Sequence, residues 1–427
     1  MSDEKQFKQI PYGITDYDIF QEEDLYYVDK TRFIRNIEEK GRYLFFIRPR
    51  RFGKSLFLSI LEDYYDILKQ DAFDSLFNGT DIHRNPTKGK NSYLVFKLNF
   101  SMIDPEKSGI EAAFLHYVKE SAIAFLTRYN QLLDIDPEKV KETIHNLRSA
   151  SSVMITALNS CTGKKVKLYI IIDEYDNFAN TILSDSGEDA YRCIPSLLRS
   201  FFKAIKGGTT GSGAPISRLF MTGVSPVSLD DVISGFNIAM DISQDPNVNE
   251  MLGFTQTEVE TLIDYYRQTG KIMHSTQDLM HIMRLWYNHY RFSKYANGPV
   301  YNPSHVLYFL DEYMKQSRIP DELIDYNVRI DYQKFLHFII SDKKRKPRNT
   351  ENFTKLQQTI GDTVRTRIKQ VIPVEEVHDP ENFFSLLFYF GLLTIQEMDE
   401  VHSAILAIPN ESVKRLFYEY IRKIYET

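Results

Sequence analysis

The sequence is poor in cysteine, with only Cys161 and Cys193 among 427 residues, and it contains a single tryptophan. Two cysteines cannot form the disulfide framework of a small secreted scaffold, and no Cys/His spacing indicates a zinc site. This cysteine content favours a reduced, intracellular setting, and we expect a cytoplasmic protein.

Long apolar runs and a strong charge of one sign are also missing. No stretch approaches 18 consecutive apolar residues and the N-terminal segment is polar, so we expect a soluble chain with no membrane span or signal peptide. A net charge of -6 argues against a nucleic-acid surface over the whole chain. The 43% hydrophobic and 26% charged residues are typical of a globular protein, here of two or three domains.

The stretch YLFFIRPRRFGKSL, residues 43–56, lacks the first glycine of an ordinary phosphate loop. The usual pattern is Gly, four residues, then Gly-Lys-Ser/Thr; here Arg48 replaces the first glycine, while Gly53, Lys54 and Ser55 remain. Gly-Lys-Ser/Thr alone arises by chance in roughly one chain in five of this length, so its context decides. The apolar run before the loop predicts a buried strand, and apolar residues after it recur at helical spacing.

Further segments alternate between strand and helix patterns, which predicts a mainly parallel sheet over about residues 40–245. The strand candidates are 93–100, the apolar part of 167–177, 218–226 and, less regular, 236–243; the helix candidates are 108–128, 138–160 and 189–206. From Gly253 onward the pattern changes to helices with few strands, and Thr255 with Glu258 predicts a capping box. The expected fold class is an α/β P-loop NTPase, AAA/ASCE-like, with domains at 1–250 and 251–427.

In the strand candidate KLYIIIDEYDN, residues 167–177, the apolar run ends in two carboxylates, Asp173 and Glu174. A triphosphate with magnesium needs a mobile cation, a hydroxyl on the metal and an acid that holds the metal. Lys54 could supply the cation, Ser55 the hydroxyl and Asp173 the acid, while Glu174 could deprotonate an attacking water. The alternative is that both acids simply end a strand.

Several segments in order resemble the AAA-ATPase-like family of P-loop proteins, which is similar to AAA-type and STAND ATPases. They are PYGI, YYVDKT, RPRRFGKSL, IIIDEYDN, FMTGVSPVS, GFTQTEV and VYNPSHV, and the resemblance as a whole runs from residue 11 to about 410. Members are commonly bacterial, and many carry a C-terminal PD-(D/E)xK nuclease-like domain. We expect that domain to be absent, because no Asp...Glu-x-Lys set follows in a strand-rich segment.

The resemblance implies roles for individual residues. Lys54 and Ser55 match the Walker A residues, Asp173 and Glu174 match the Walker B pair, and Thr222 fits a sensor position or, equally well, caps a turn. Magnesium would bind Ser55 and Asp173. The family's own loop carries arginine where Arg48 stands. The expected ATP-binding loop comprises Arg48, Pro49, Arg50, Arg51, Phe52, Gly53, Lys54, Ser55 and Leu56.

The three loop arginines have two interpretations. Arg48, Arg50 and Arg51 could neutralise phosphate charge, or they could pair with acids such as those of the DEYD segment at 173–176. We expect phosphate or acid pairing for at least one of them.

The C-terminal half contains a departure from the family and a basic run. His289 stands where the family usually has glycine, which puts the close packing of that turn in doubt; Trp286, Tyr287 and Tyr290 fit core positions better than ligand contacts. The run Lys343, Lys344, Arg345, Lys346 and Arg348 could bind nucleic acid, although a solvated loop is the simpler interpretation.

These observations predict an ATP-binding and ATP-hydrolysing switch protein whose nucleotide state controls association with a protein partner or with itself. The resemblance extends this to a role in bacterial defence. The alternative is a scaffold that does not hydrolyse ATP and whose loop only binds nucleotide or is vestigial.

Overall fold

A computed structural model describes residues 7–104, 109–176, 188–227, 229–340, 350–373, 376–398 and 403–426. The basic run at 343–348 lies outside these residues. No helix in the described ranges is both long and apolar enough to cross a membrane.

A five-stranded parallel sheet forms the centre of the fold, with strand order β2-β3-β4-β1-β5. The strands are β1 (Tyr43–Ile47), β2 (Tyr93–Asn99), β3 (Lys167–Asp173), β4 (Ile216–Gly223) and β5 (Met240–Asp241). β4 pairs with both β1 and β3. It therefore lies between β1, which leads into the phosphate loop, and β3, which ends in the acids. The carboxyl ends of parallel strands meet at one edge of the sheet, where ligands of such folds usually bind.

Helices precede the first strand and connect those that follow. They are α1 (Tyr17–Glu22), α2 (Phe33–Lys40), α3 (Lys54–Tyr65), α4 (Phe73–Phe77), α5 (Asp81–Arg84), α6 (Ile110–Arg128), α7 (Asn130–Leu133), α8 (Pro137–His145), α9 (Ala150–Cys161), α10 (Glu188–Gly207) and α11 (Leu229–Gly235). β3 is apolar almost throughout, and its residues 168–173 are buried, as expected for a central strand covered on both faces.

The C-terminal region is mostly helical. Its helices are α12 (Gln256–Arg267), α13 (Thr276–Tyr287), α14 (Pro303–Gln316), α15 (Tyr326–Ile340), α16 (Glu351–Thr359), α17 (Phe383–Tyr389) and α18 (Glu411–Glu426). The capping box predicted from Thr255 and Glu258 is confirmed at the start of α12. The expected fold class, an α/β P-loop NTPase with a mainly parallel sheet and a mostly helical C-terminal region, is confirmed by this arrangement.

Two apolar clusters form the core. One contains side chains between Phe254 and Tyr313. The larger one surrounds the parallel sheet and also includes Leu336, Leu386 and Leu416 from the C-terminal region. The division into residues 1–250 and 251–427 stays a prediction.

Two predicted elements differ from the structure, and one sheet was not predicted. The helix expected over 138–160 is two helices, α8 and α9, because Ser149 caps a new helix by accepting a hydrogen bond from the Ser152 amide. The strand expected over 236–243 is reduced to two residues. The C-terminal region contains an unpredicted antiparallel sheet of β6 (Val364–Thr366), β8 (Ala404–Ala407) and β7 (Thr394–Met398).

Candidate functional site

The phosphate-loop segment connects β1 to α3 with two residues in the left-handed backbone region. Gly53 has a φ of 91° and directly precedes the helix. Arg51 has a φ of 69°, a conformation that costs a residue with a Cβ atom about 1–2 kcal/mol. The turn therefore depends on glycine at position 53 and tolerates strain at position 51.

The N-terminus of α3 has no side-chain cap. The first backbone N–H groups of a helix lack intrahelical partners, and the helix dipole makes this end attractive to anions. Lys54, the first residue of α3, donates from its Nζ to the carbonyl oxygens of Arg48 and Pro49, both at 2.9 Å. Burial lowers the pKa of Lys54, and the nearby Glu174 and Asp173 carboxylates oppose that shift.

A short hydrogen-bond network joins Ser55, Asp173 and Thr222. The Ser55 hydroxyl donates to Oδ2 of Asp173 at 2.7 Å, and the Thr222 hydroxyl donates to Oδ1 at 2.7 Å. Asp173 is only 2% exposed, so its carboxylate depends on these donors in place of water. Three of the residues selected from sequence, from α3, β3 and β4, therefore meet at one carboxylate.

Glu174 follows Asp173 and lies at the cavity described below. Its φ of 49° is unusual for a residue other than glycine, and such strain is often found at functional sites. Its amide donates to Oδ1 of Asp173 at 3.0 Å, which fixes the backbone of the pair. Burial raises the pKa of Glu174 above its ordinary value, against the attraction of Lys54 and Arg50.

A cavity of about 530 Å³ opens beside the loop. Of the residues predicted to bind ATP, its walls include Arg50, Arg51, Phe52, Gly53, Lys54, Ser55 and Leu56, together with Glu174. The remaining walls come from residues within 11–15, 26–30, 251–254 and 303–307, together with Phe20, Phe57, Ile60 and Asp331. The cavity size is within the usual range of about 300–1,000 Å³ for small-molecule sites.

Sequence reasoning did not assign these remaining walls. The segments 11–15 and 26–30 belong to PYGI and YYVDKT, which carried the family resemblance without a role for any residue. Lys30 lines the cavity and forms an ion pair with Glu258 at 2.6 Å, across more than 200 residues of sequence. The pattern of α12 predicts Glu258 as a capping residue and gives no signal for this second contact.

The Arg48 side chain does not reach the cavity. It is 1% exposed, and its Nη1 donates to the carbonyl oxygens of Ile47 at 2.9 Å and Ser243 at 2.6 Å. Its Cζ lies 4.2 Å from the ring centroid of Phe46 and 4.3 Å from that of Phe292. Burial lowers its pKa to about 9, so the group stays charged at neutral pH. Arg48 thus connects β1 to later segments, and only its carbonyl and that of Pro49 contact Lys54.

Arg50 and Arg51 both form ion pairs with an acid outside the DEYD segment. Both contact Asp331 of α15, Arg50 through Nη1 at 3.2 Å and Arg51 through Nη2 at 3.0 Å. The expectation of acid pairing is correct for these two arginines, and the partner is different because the fold brings α15 to the loop.

The last acid of DEYD has a structural role. Asp176 is fully buried and accepts hydrogen bonds from the amides of Val224 and Ser225 and from the Ser225 hydroxyl. These bonds connect the segment after β3 to the segment after β4. They thereby hold together the two strand ends that carry Asp173 and Thr222.

His289 adopts a φ of 73°, a conformation that glycine adopts without strain. This agrees with the family's preference for glycine at the position and shows that the turn persists with histidine. Tyr287 and Tyr290 are fully buried, and Trp286 packs under the Arg415 guanidinium at 4.4 Å. None of these three aromatic residues lines the cavity.

A parallel sheet, a Gly-Lys-Ser loop that opens a helix, and a buried acid at the end of another strand of that sheet together define the P-loop class of nucleotide-binding folds. Within that class, the chain belongs to the AAA-ATPase-like family, described as predicted AAA-ATPases, whose model matches residues 11–233.

A curated relative from Azotobacter chroococcum mcd 1, an uncharacterized protein encoded in the vnfD 5' region, is 27% identical over 328 residues. That match covers 74% of this chain and 56% of the relative. Among solved structures, the Aeropyrum pernix ORC2 protein in ADPNP-ADP complexes aligns over 99% of this chain and 96% of its own, with 11% identity and a TM-score of 0.34. The Aeropyrum pernix ORC1 protein in complex with DNA aligns over 97% and 96%, with 10% identity and a TM-score of 0.31. Similarity this distant does not assign a function or a binding site to this chain.

Proposed function

We propose that the chain binds ATP with magnesium in the cavity beside the phosphate loop and hydrolyses it. The observation that carries this proposal is the network in which Ser55 and Thr222 both donate to Asp173, beside Lys54 and the uncapped end of α3. An ordinary pair of acids at a strand end needs neither a loop lysine nor a helix N-terminus nearby.

The cavity walls contain groups suited to both the phosphates and the base of a nucleoside triphosphate. The end at the loop offers Lys54, the arginines and the first amides of α3, which are donors for phosphate oxygens. The walls also include apolar and aromatic side chains, Ile14, Tyr27 and Phe254 among them, and such surfaces accept the flat face of a nucleobase. Lys54 has three N–H donors, and the two carbonyls that it contacts leave a third donor for a phosphate oxygen.

The residues present also fit magnesium. Mg²⁺ prefers oxygen ligands and commonly binds one or two protein groups together with substrate phosphates and water. The Ser55 hydroxyl and the Asp173 carboxylate supply such oxygens side by side. When bound, the ion would neutralise phosphate charge as bond cleavage proceeds.

Glu174 is the proposed general base. A base acts best when its pKa lies near the working pH, and burial moves the pKa of Glu174 upward. Its ionised carboxylate would take a proton from the water that attacks the γ-phosphate. Thr222 contacts Asp173, so we assign it the task of orienting that acid. The sensor position expected from the family, in which the hydroxyl would contact the γ-phosphate or the attacking water, stays a prediction.

The proposal extends to a switch in which nucleotide state controls association with a protein partner or another copy. The cavity walls support this extension, because they combine the loop with residues from the N-terminal segment and from the C-terminal helices. A defence role is an expectation from the family resemblance alone.

Calorimetric titration of ATP with and without magnesium tests the binding step. Lys54→Ala should weaken binding by about tenfold or more, since a hydrogen bond to a charged group contributes about 1.5–3 kcal/mol. Lys315→Ala is the matched control, because Lys315 is an exposed helix lysine that pairs with Asp311 and does not line the cavity. If the wild-type protein shows no ATP binding, the scaffold with a vestigial loop replaces this proposal.

A further inference from the structure

The carboxylate of Asp331 occupies a position that is unusual for an acid, between two arginines of the phosphate loop. Its Oδ1 lies 3.2 Å from Nη1 of Arg50, and its Oδ2 lies 3.0 Å from Nη2 of Arg51. All three residues line the cavity. An anion from α15 therefore neutralises cationic groups at the part of the cavity where the phosphates of a nucleotide would bind.

These ion pairs are able to exchange with another anion. The side chains of Asp331, Arg50 and Arg51 are 20%, 30% and 33% exposed, so water reaches the pairs and screens them. A triphosphate carries several negative charges and more acceptor oxygens than one carboxylate, and arginine binds phosphate in the same forked geometry as carboxylate. Phosphates in the cavity would thus compete with Asp331 for the same two guanidinium groups.

The helix that carries Asp331 is connected to the C-terminal region. Arg329, two residues earlier, pairs with Glu419 of α18 at 3.4 Å. Phe335, one turn later, stacks on Phe390 with ring centroids 4.3 Å apart. The Cζ of Arg50 also lies 4.8 Å from the Phe335 ring. A change in the contacts of Asp331 therefore acts on a helix that is anchored to both α18 and the segment after α17.

We propose that Asp331 is an internal competitor for the nucleotide phosphates, and that ATP binding displaces its carboxylate from Arg50 and Arg51. This inference rests on the proposed function of the cavity. Loss of the two ion pairs loosens the first turns of α15, while the aromatic contact of Phe335 keeps the rest of the helix packed. Nucleotide binding in the cavity would thereby change the packing of α15, and through α15 it would affect the C-terminal region.

The test compares ATP binding by the wild-type protein and three variants. Asp331→Asn removes the charge at nearly constant size, and it should tighten ATP binding by about fivefold to tenfold because one negative charge near the phosphates is lost. Asp331→Glu restores the charge and should return the affinity toward the wild-type value. Asp321→Asn is the matched control, since Asp321 pairs with Arg318 on the exposed surface and should leave the affinity unchanged.

Hydrogen exchange of the peptide covering residues 326–335 supplies the second readout. In the wild-type protein ATP should increase exchange there, and in Asp331→Asn exchange should already be high and insensitive to ATP. Equal ATP affinities for the wild type and Asp331→Asn, with slow exchange in both, would overturn the inference and leave the proposed function intact. Failure of the wild type itself to bind ATP would overturn both.

Discussion

Replacing Arg48 with methionine separates a structural role of this side chain from a role in phosphate binding. The substitution keeps an unbranched apolar chain between the Phe46 and Phe292 rings and removes the guanidinium. Two buried carbonyls, of Ile47 and Ser243, then lose their charged donor.

The expected loss of stability follows from these contacts. Two hydrogen bonds to a charged group contribute about 3–6 kcal/mol together, and the two ring contacts add about 1 kcal/mol or more each. The charge no longer has to be buried, which returns several kcal/mol. We expect the free energy of unfolding to fall by about 2–3 kcal/mol, measured by urea denaturation followed by fluorescence.

The same variant should bind ATP almost normally. At a temperature where it is folded, the dissociation constant of Arg48→Met should stay within about twofold of the wild-type value, because the side chain does not line the cavity. Arg32→Met is the matched control: this arginine is 48% exposed and pairs with Glu250, so its replacement should change stability by under about 0.5 kcal/mol. A tenfold loss of ATP affinity without loss of stability would refute this reasoning and make Arg48 a phosphate ligand.

Three further predictions concern single residues. The rate of ATP turnover should fall as the pH is lowered, and the fall should begin above pH 4.5, the ordinary pKa of a glutamate. The reason is that burial raises the pKa of Glu174, so this base becomes protonated at a higher pH than an ordinary glutamate does. A profile of the turnover rate from about pH 5 to 8 measures this. Gly53→Ala should abolish ATP binding, measured by titration, since a φ of 91° is strained for alanine and the loop must change shape, whereas Ala at the solvent-facing Gly207 should have no such effect. His289→Gly should stabilise the protein by about 0.5–1 kcal/mol in urea denaturation, because the left-handed turn then carries no Cβ strain; a destabilised variant would contradict this account.

Local patterns in the sequence predict the elements that position the site. The apolar run 43–47 forms β1, the helix begins at Lys54, and β3 ends at the predicted acid Asp173. Each of these features depends on neighbours within a few residues, such as periodicity or a helix start. The meeting of Ser55, Asp173 and Thr222 also follows from pattern, since parallel strands place their carboxyl ends at one edge.

Contacts between distant segments could not be read in this way. Asp331 meets Arg50 across 281 residues of sequence, and its own helix carries no pattern that identifies it as a partner of the loop. The Arg48 side chain turns toward Ser243 and Phe292, which no spacing near the loop reveals. The contacts of Arg50 with Asp331 and of Arg48 with Phe292 are set by the packing of the C-terminal region against the parallel sheet, and Ser243 lies in the segment after β5.

The small antiparallel sheet escaped prediction for a related reason. Its strands are three to five residues long, and β7 follows closely on the apolar run that forms α17, so no separate strand pattern is visible there. Short apolar runs of this kind fit either element, so their pairing partners decide between them.

The central claim is that this cavity binds ATP and that Glu174 starts its hydrolysis. Single-turnover hydrolysis of radiolabelled ATP by the wild type and by Glu174→Gln, with binding measured in parallel, tests it most directly. We predict that the variant binds ATP with magnesium as well as the wild type does. Its rate of hydrolysis should be reduced by about 10²-fold or more. Equal rates for the two proteins would contradict the assignment of the base, and the absence of binding by both would contradict the site itself.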